Sequence, residues 1–191
     1  MRRPAPHCVL GDALQFVESP AENVIAFFGA ERAVELDGRV THIVAHGREA
    51  CIRQHRRVEL QQLINELNVA DSVRLLGSRR DVPSLLSQCD LFVFQALRDE
   101  GFGIALAEAM AARVPIVATN VGACQEVLEA GRCGLLVAEQ DPQAMAAGIL
   151  QALEQREITA TRTKAAYERA VAEFSVPESA VSYGRELGVV S

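Results

Sequence analysis

The stretch Leu91-Phe92-Val93-Phe94-Gln95-Ala96-Leu97-Arg98-Asp99-Glu100-Gly101-Phe102-Gly103-Ile104-Ala105-Leu106-Ala107-Glu108 decides the fold. Its first four residues put apolar side chains on both faces of a strand, as a parallel sheet covered by helices requires. Residues 102–112 change to helical spacing, and Pro115-Ile116-Val117-Ala118-Thr119 returns as a second apolar strand. Strand, helix and strand in this order form the crossover unit of a parallel sheet.

Outward from this unit the alternation continues. On the N-terminal side, residues 8–14 read as a strand and residues 20–36 as a helix. Residues 41–45 are β-branched and apolar and end at Gly47. Residues 49–67 form an amphipathic helix with Leu60, Leu63, Ile64 and Leu67 on one face. A strand at 73–76 closes at Gly77, and a short helix follows at 82–89. On the C-terminal side a helix is expected at 124–130 and a last strand at 134–137. The chain from Pro142 onward is helical, apart from a break at Ser175-Val176-Pro177. The expectation is an α/β fold, a doubly wound parallel sheet of Rossmann-like type. It forms one domain over residues 1–191, with C-terminal helices from about 156.

Composition narrows the classes of function. The 191 residues carry a net charge of −6, which argues against nucleic acid as the main partner. No run of eighteen apolar residues occurs, and the apolar stretch after the N-terminus is too short for a signal peptide, so the cytosol is the default address. Arg53, His55, Arg56 and Arg57 sit in a helical stretch; they read as a solvated face, with an anionic-membrane contact as the alternative that nothing else indicates. The five cysteines lack C-x-x-C spacing and read as reduced structural residues, and the four histidines lack ligand spacing, so no metal site is expected.

In a doubly wound sheet, ligands bind beyond the carboxyl ends of the strands, which selects the turns after Gly11, Gly47, Gly77, Ala96 and Thr119. The turn after Ala96 carries the most chemistry. Gly101 and Gly103 remove side chains where the helix begins, so its first turn exposes free N–H groups and the positive end of the dipole, a setting suited to phosphate. Glu108 lies one to two turns into that helix, where a carboxylate can accept two hydrogen bonds from a vicinal diol such as a ribose. Glu100 precedes the helix and can reach a different group. The plainer alternatives are a solvated loop carboxylate for Glu100, an exposed helix residue for Glu108, and loop-anchoring packing for Phe102.

The run from Glu100 to Glu108 with Ala109-Met110-Ala111 resembles the E-x7-E motif of glycosyltransferase family 4 (group 1), the large retaining family with the GT-B fold. Asp71-Ser72-Val73-Arg74-Leu75-Leu76-Gly77 looks like that family's D-x-V-x-F-L-G strand. Pro115-Ile116-Val117-Ala118-Thr119 through Gly122 and Glu126 looks like its P-V-V-A-T-x-x-G-G-x-x-E. Gly131-Arg132-Cys133-Gly134-Leu135-Leu136-Val137, then Asp141-Pro142, resembles its G-x-x-G-x-L-V-x-x-x-D, and Phe174-Ser175 its late F-S-W, with Val176 replacing the Trp. The resemblance implies the C-terminal, donor-binding half of a GT-B enzyme that transfers a sugar from a nucleotide sugar to a glycan or lipid-linked acceptor. It implies that Glu108 holds the ribose, that Glu100 lies close to the donor sugar as the catalytic group, and that the Gly101, Phe102, Gly103 and Ile104 backbone faces sugar and diphosphate. Gly11 would join the donor site. The family is generally metal-independent and needs no cofactor; Asp99-Glu100 makes no D-x-D motif.

Two departures stand out. The resemblance covers the C-terminal GT-B half alone, so an N-terminal half or a partner chain is expected to complete the enzyme. The family also follows its first strand with an Arg and, five residues on, a Lys, both neutralising the donor diphosphate. Placing that strand at Gly11-Asp12-Ala13-Leu14 puts Gln15 and Pro20 at those positions, and Ser19-Pro20-Ala21-Glu22 is instead a capping box. Two lost charge-assisted contacts are worth roughly 3–6 kcal/mol. Arg79, Arg80 or Arg98 substitute if their side chains turn inward; otherwise they are surface arginines. A degenerate remnant that binds nucleotide weakly or packs against a partner is the competing reading. A dinucleotide-binding Rossmann domain is disfavoured because no G-x-G-x-x-G follows the first strand.

Overall fold

The computed structural model describes the backbone at 24–28 and 32–34, positions 58, 61, 62, 64–66, 68 and 70, and residues 81–96 and 103–175. Its elements are β1 (Val24–Phe28), β2 (Arg32–Val34), α1 (Val82–Leu86), β3 (Leu91–Gln95), α2 (Ile104–Ala111), β4 (Ile116–Thr119), α3 (Gly122–Val127), a 3-10 turn (Glu129–Gly131), β5 (Leu135–Val137), α4 (Pro142–Glu154) and α5 (Arg156–Glu173).

The described strands form one sheet in the order β2-β1-β3-β4-β5. β1, β3, β4 and β5 run parallel, with Phe28 opposite Gln95, Phe94 opposite Ala118, and Thr119 opposite Val137. β2 pairs antiparallel with β1 at the edge. Every residue of β3 and of β4 is buried. Side chains alternate between faces along a strand, so both faces of the sheet centre are covered, and that is why these segments read as unbroken apolar runs.

α4 crosses β3, β4 and β5, burying Met145, Ala146, Gly148, Ile149 and Ala152 as one helical stripe. Asp141 starts this helix by accepting a hydrogen bond from the Ala144 N–H at 2.9 Å, and Pro142 occupies the first turn. The crossing is close at Gly148, where an added Cβ would lie 2.6 Å from Val137 Cγ1. α5 packs against α2 and α4 and buries only Ala166 and Ala170, small residues that let the helices approach. None of the described helices is long and apolar enough to cross a membrane.

The expected helix at 20–36 is a correction. Val24–Phe28 and Arg32–Val34 are strands. The capping box argued for a helix, but the run Val-Ile-Ala-Phe-Phe suits a pleated surface, and pairing with buried β3 overrides local propensity. This strand lies beside β3, so the first strand of the described sheet is Val24–Phe28. The segment 8–14, with Gly11, Gln15 and Pro20, lies outside the described residues, as do the expected strands at 41–45 and 73–76. Of the expected helix at 49–67, the described positions 58, 61, 62 and 64–66 are helical, with Ile64 buried.

Candidate functional site

The sheet order reverses between β1 and β3, which places the ligand crevice of such a sheet beyond the carboxyl ends of these strands. At that edge the last described residue of the β3 exit is Ala96. Its N–H donates to Thr119 Oγ1 at 2.8 Å, and Thr119 Oγ1 donates back to the Ala96 carbonyl at 2.9 Å. One hydroxyl thus supplies a missing rung of the ladder and fixes where the chain leaves β3. Thr119 and Ala96 are each 1% exposed, so the hydroxyl satisfies a buried amide and a buried carbonyl. The sequence did not announce this role, because a hydroxyl at a strand end carries no mark of the segment it will bond.

The chain returns at Gly103, the N-cap of α2, in the left-handed region with φ 72°. A Cβ there would meet Leu106 Cδ1 at 3.3 Å and the Phe94 ring at 3.6 Å, so both the backbone angle and the approach to β3 call for glycine. The Gly103 carbonyl accepts from the Leu106 N–H at 2.8 Å. Among the described residues no side chain caps this helix start, so the Ile104 and Ala105 N–H groups stand at the positive end of α2. Ile104 is 70% exposed, an apolar side chain held open beside those donors. Glu108 is half-buried on the same helix, between the exposed start and the buried Ala109 and Met110.

Of the residues singled out in the sequence, Gly103, Ile104 and Glu108 therefore share α2. Glu100, Gly101, Phe102, Arg79, Arg80, Arg98 and Gly11 lie outside the described residues. The expected helix 102–112 begins at Ile104 because Gly103 is left-handed. Next to it, β4 continues past Thr119: the Asn120 N–H donates to the Val137 carbonyl at 2.7 Å, and Gln125 Nε2 donates to Asn120 Oδ1 at 2.8 Å.

Among the described residues, a cluster of ion pairs lies elsewhere, at the 3-10 turn. Glu129 takes ion pairs from Arg132 and from Arg169, the latter at 2.5 Å, and Arg169 also pairs with Glu173 at 3.1 Å. Burial pushes the Glu129 carboxyl up, but the hydrogen bonds and charges of both arginines outweigh it and hold the group below its usual value. Burial, with Glu129 nearby, pushes the Cys133 thiol up. Cys89, Cys124 and Cys133 are thiols. Among the described residues no group of His, Cys, Asp and Glu could hold a metal ion.

A cleft of about 660 Å³ also lies away from the crevice, at the amino ends of β3 and β4, bordered by Asp90, Arg113, Pro115, Leu153 and one face of α5. It is the wrong end of a parallel sheet for the ligand that the fold positions.

The family model described as glycosyl transferases group 1 matches residues 29–169. The chain belongs to this family. It is 31% identical over 153 residues to N-acetyl-alpha-D-glucosaminyl L-malate synthase of Bacillus anthracis, covering 80% of this chain and 38% of that protein. It is 32% identical over 124 residues to the lipopolysaccharide core biosynthesis mannosyltransferase LpsB of Rhizobium meliloti, covering 64% and 35%. Among solved structures, Anabaena HepE in complex with UDP and glucose superposes with a TM-score of 0.73 at 27% identity, over 97% of this chain and 47% of HepE. The chain thus spans less than half the length of these relatives. A C-terminal domain of a group 1 protein, LpcC from Francisella tularensis, shares the fold with a TM-score of 0.65 and 17% identity. The architecture is a doubly wound α/β half of a GT-B fold.

Proposed function

We propose that residues 1–191 form the donor-binding domain of a retaining family 4 glycosyltransferase, which takes a nucleotide sugar at the carboxyl ends of β1, β3 and β4. The observation that carries this reading is the start of α2: a left-handed glycine, an uncapped first turn, and Glu108 farther along the same helix. The free N–H groups suit a diphosphate, and Glu108 suits the ribose diol. Glu100, at the other end of the motif, is assigned to the donor sugar, with the backbone of Gly101 and Phe102 beside it. HepE was solved with UDP and with UDP-glucose, which makes a uridine nucleotide the first donor to test. The acceptor, and the groups that complete catalysis, belong to an N-terminal GT-B half or a partner chain.

A second reading, a catalytically degenerate module that binds nucleotide weakly, draws on β1. With β1 beside β3, the chain leaving that strand reads Gly29-Ala30-Glu31 and presents no cation before Arg32. In this frame residues 29–38 supply one cation, Arg32 at the start of β2, against the two of the resembled family. Calorimetric titration of the full chain with UDP-glucose, GDP-mannose and ADP-glucose separates the two readings. Submillimolar binding of one donor, weakened about tenfold or more by Glu108→Ala, supports the donor domain. Millimolar or no binding of all three sinks the enzyme reading for this chain.

A further inference from the structure

The α2 helix ends in a motif that normally calls for glycine. The Val114 N–H donates to the Ala109 carbonyl and the Arg113 N–H to the Met110 carbonyl, both at 3.1 Å, the paired closure of a helix whose next residue is left-handed. That residue is Arg113, at φ 58°. A side chain there costs about 1–2 kcal/mol against glycine, a strain that calls for a reason. The Arg113 guanidinium lies 3.9 Å from the centre of the Tyr167 ring, and both residues line the cleft at the amino ends of β3 and β4.

We propose that this cleft binds a small organic phosphate, its phosphate held by Arg113 and Lys164 and its apolar body laid on Pro115, Leu153 and Ala160. The volume, about 660 Å³, is that of a small-molecule site. The lining carries three cations, Arg113, Arg156 and Lys164, against two carboxylates, Asp90 and Glu168, so it is net positive in a chain of net charge −6. Helix carboxyl ends gather at this edge of a parallel sheet and would ordinarily occupy such cations. Here carbonyls at those ends are already engaged: Ala109 and Met110 by the closure of α2, and Ala152 by the Thr159 hydroxyl at 2.8 Å. Lys164 meets Glu168 only at 3.9 Å, and Arg113 spends its ring-facing plane on Tyr167, which leaves its in-plane N–H edge to form a fork around an oxyanion.

Phenyl phosphate and benzyl alcohol, titrated into the full chain with amide NMR shifts as readout, test the site. The expected result is saturable low-millimolar or tighter binding of phenyl phosphate, with shifts centred on Arg113, Lys164 and Tyr167, and much weaker binding of benzyl alcohol. Arg113→Gly places glycine where the backbone favours it, so the fold is kept while affinity falls about tenfold; Lys164→Gln has a similar effect. Absence of saturable binding, equal affinity for benzyl alcohol, or unchanged affinity in both variants overturns the proposal. So does sedimentation with phosphatidic-acid vesicles in the absence of phenyl phosphate binding, which would indicate a membrane contact.

Discussion

Thr119 and Ala96 close the carboxyl end of the β3–β4 pair through a single hydroxyl that both accepts from and donates to the same residue. Thr119→Val keeps the shape and removes both bonds, leaving a buried N–H and a buried carbonyl unsatisfied. The expected loss is about 2–4 kcal/mol, read as a lower urea midpoint. Thr119→Ser retains the hydroxyl and should recover most of it; if Val and Ser variants unfold together, the clip contributes nothing.

Gly103 sets the angle at which α2 leaves the crevice. Gly103→Ala forces a Cβ into the left-handed region and 3.3 Å from Leu106 Cδ1, at a cost of about 1–2 kcal/mol. If the uncapped first turn is the anion site, this variant also weakens nucleotide binding beyond what its stability loss explains, which titration well below the unfolding temperature reports.

Gly148 tests how tightly α4 is seated. Gly148→Ala would bring its methyl 2.6 Å from Val137 Cγ1 and 3.3 Å from Val117 Cγ1, so strand or helix must shift, at about 1–3 kcal/mol. Gly122→Ala is the matched comparison: nothing lies within 4 Å of its added Cβ, and it should stay within about 0.5 kcal/mol of the parent or exceed it. Equal thermal midpoints for the two variants would refute the close crossing.

Glu129 gives stability a pH dependence of known sign. Its folded value lies below the ordinary 4.5, so its contribution is present above that value and is lost as pH falls through the folded one. Between about pH 5 and pH 3, the melting temperature of the parent should fall more steeply than that of Glu129→Gln. Parallel curves would show that the pairing with Arg132 and Arg169 contributes no net linkage.

The sheet centre was legible because burial on both faces leaves a mark in composition: β3 and β4 stand where the apolar runs at 91–94 and 115–119 place them. The helix after β3 was legible for the same reason, and its start moved only because Gly103 is left-handed. Val24–Phe28 was misread because a local capping signal was weighed before a pairing partner on a distant part of the chain. The Thr119 clip and the left-handed Arg113 had no pattern to announce them, since each depends on what another element brings alongside. In the candidate site, the glycine and the carboxylate on α2 were readable from spacing, whereas the hydroxyl that fixes the β3 exit was not.

The order of the strands bears on how the molecule assembles. β3 meets β4, and β4 meets β5, each across one short helical connection, so that portion can zip up from neighbouring segments. β1 must instead be carried back from Phe28 across everything preceding Leu91 before it finds its rung. The closure entropy of that long excursion delays its arrival. The half of the crevice contributed by β1 is then the last to form and the first to open, and amide exchange should be faster at Val24–Phe28 than at Leu91–Gln95.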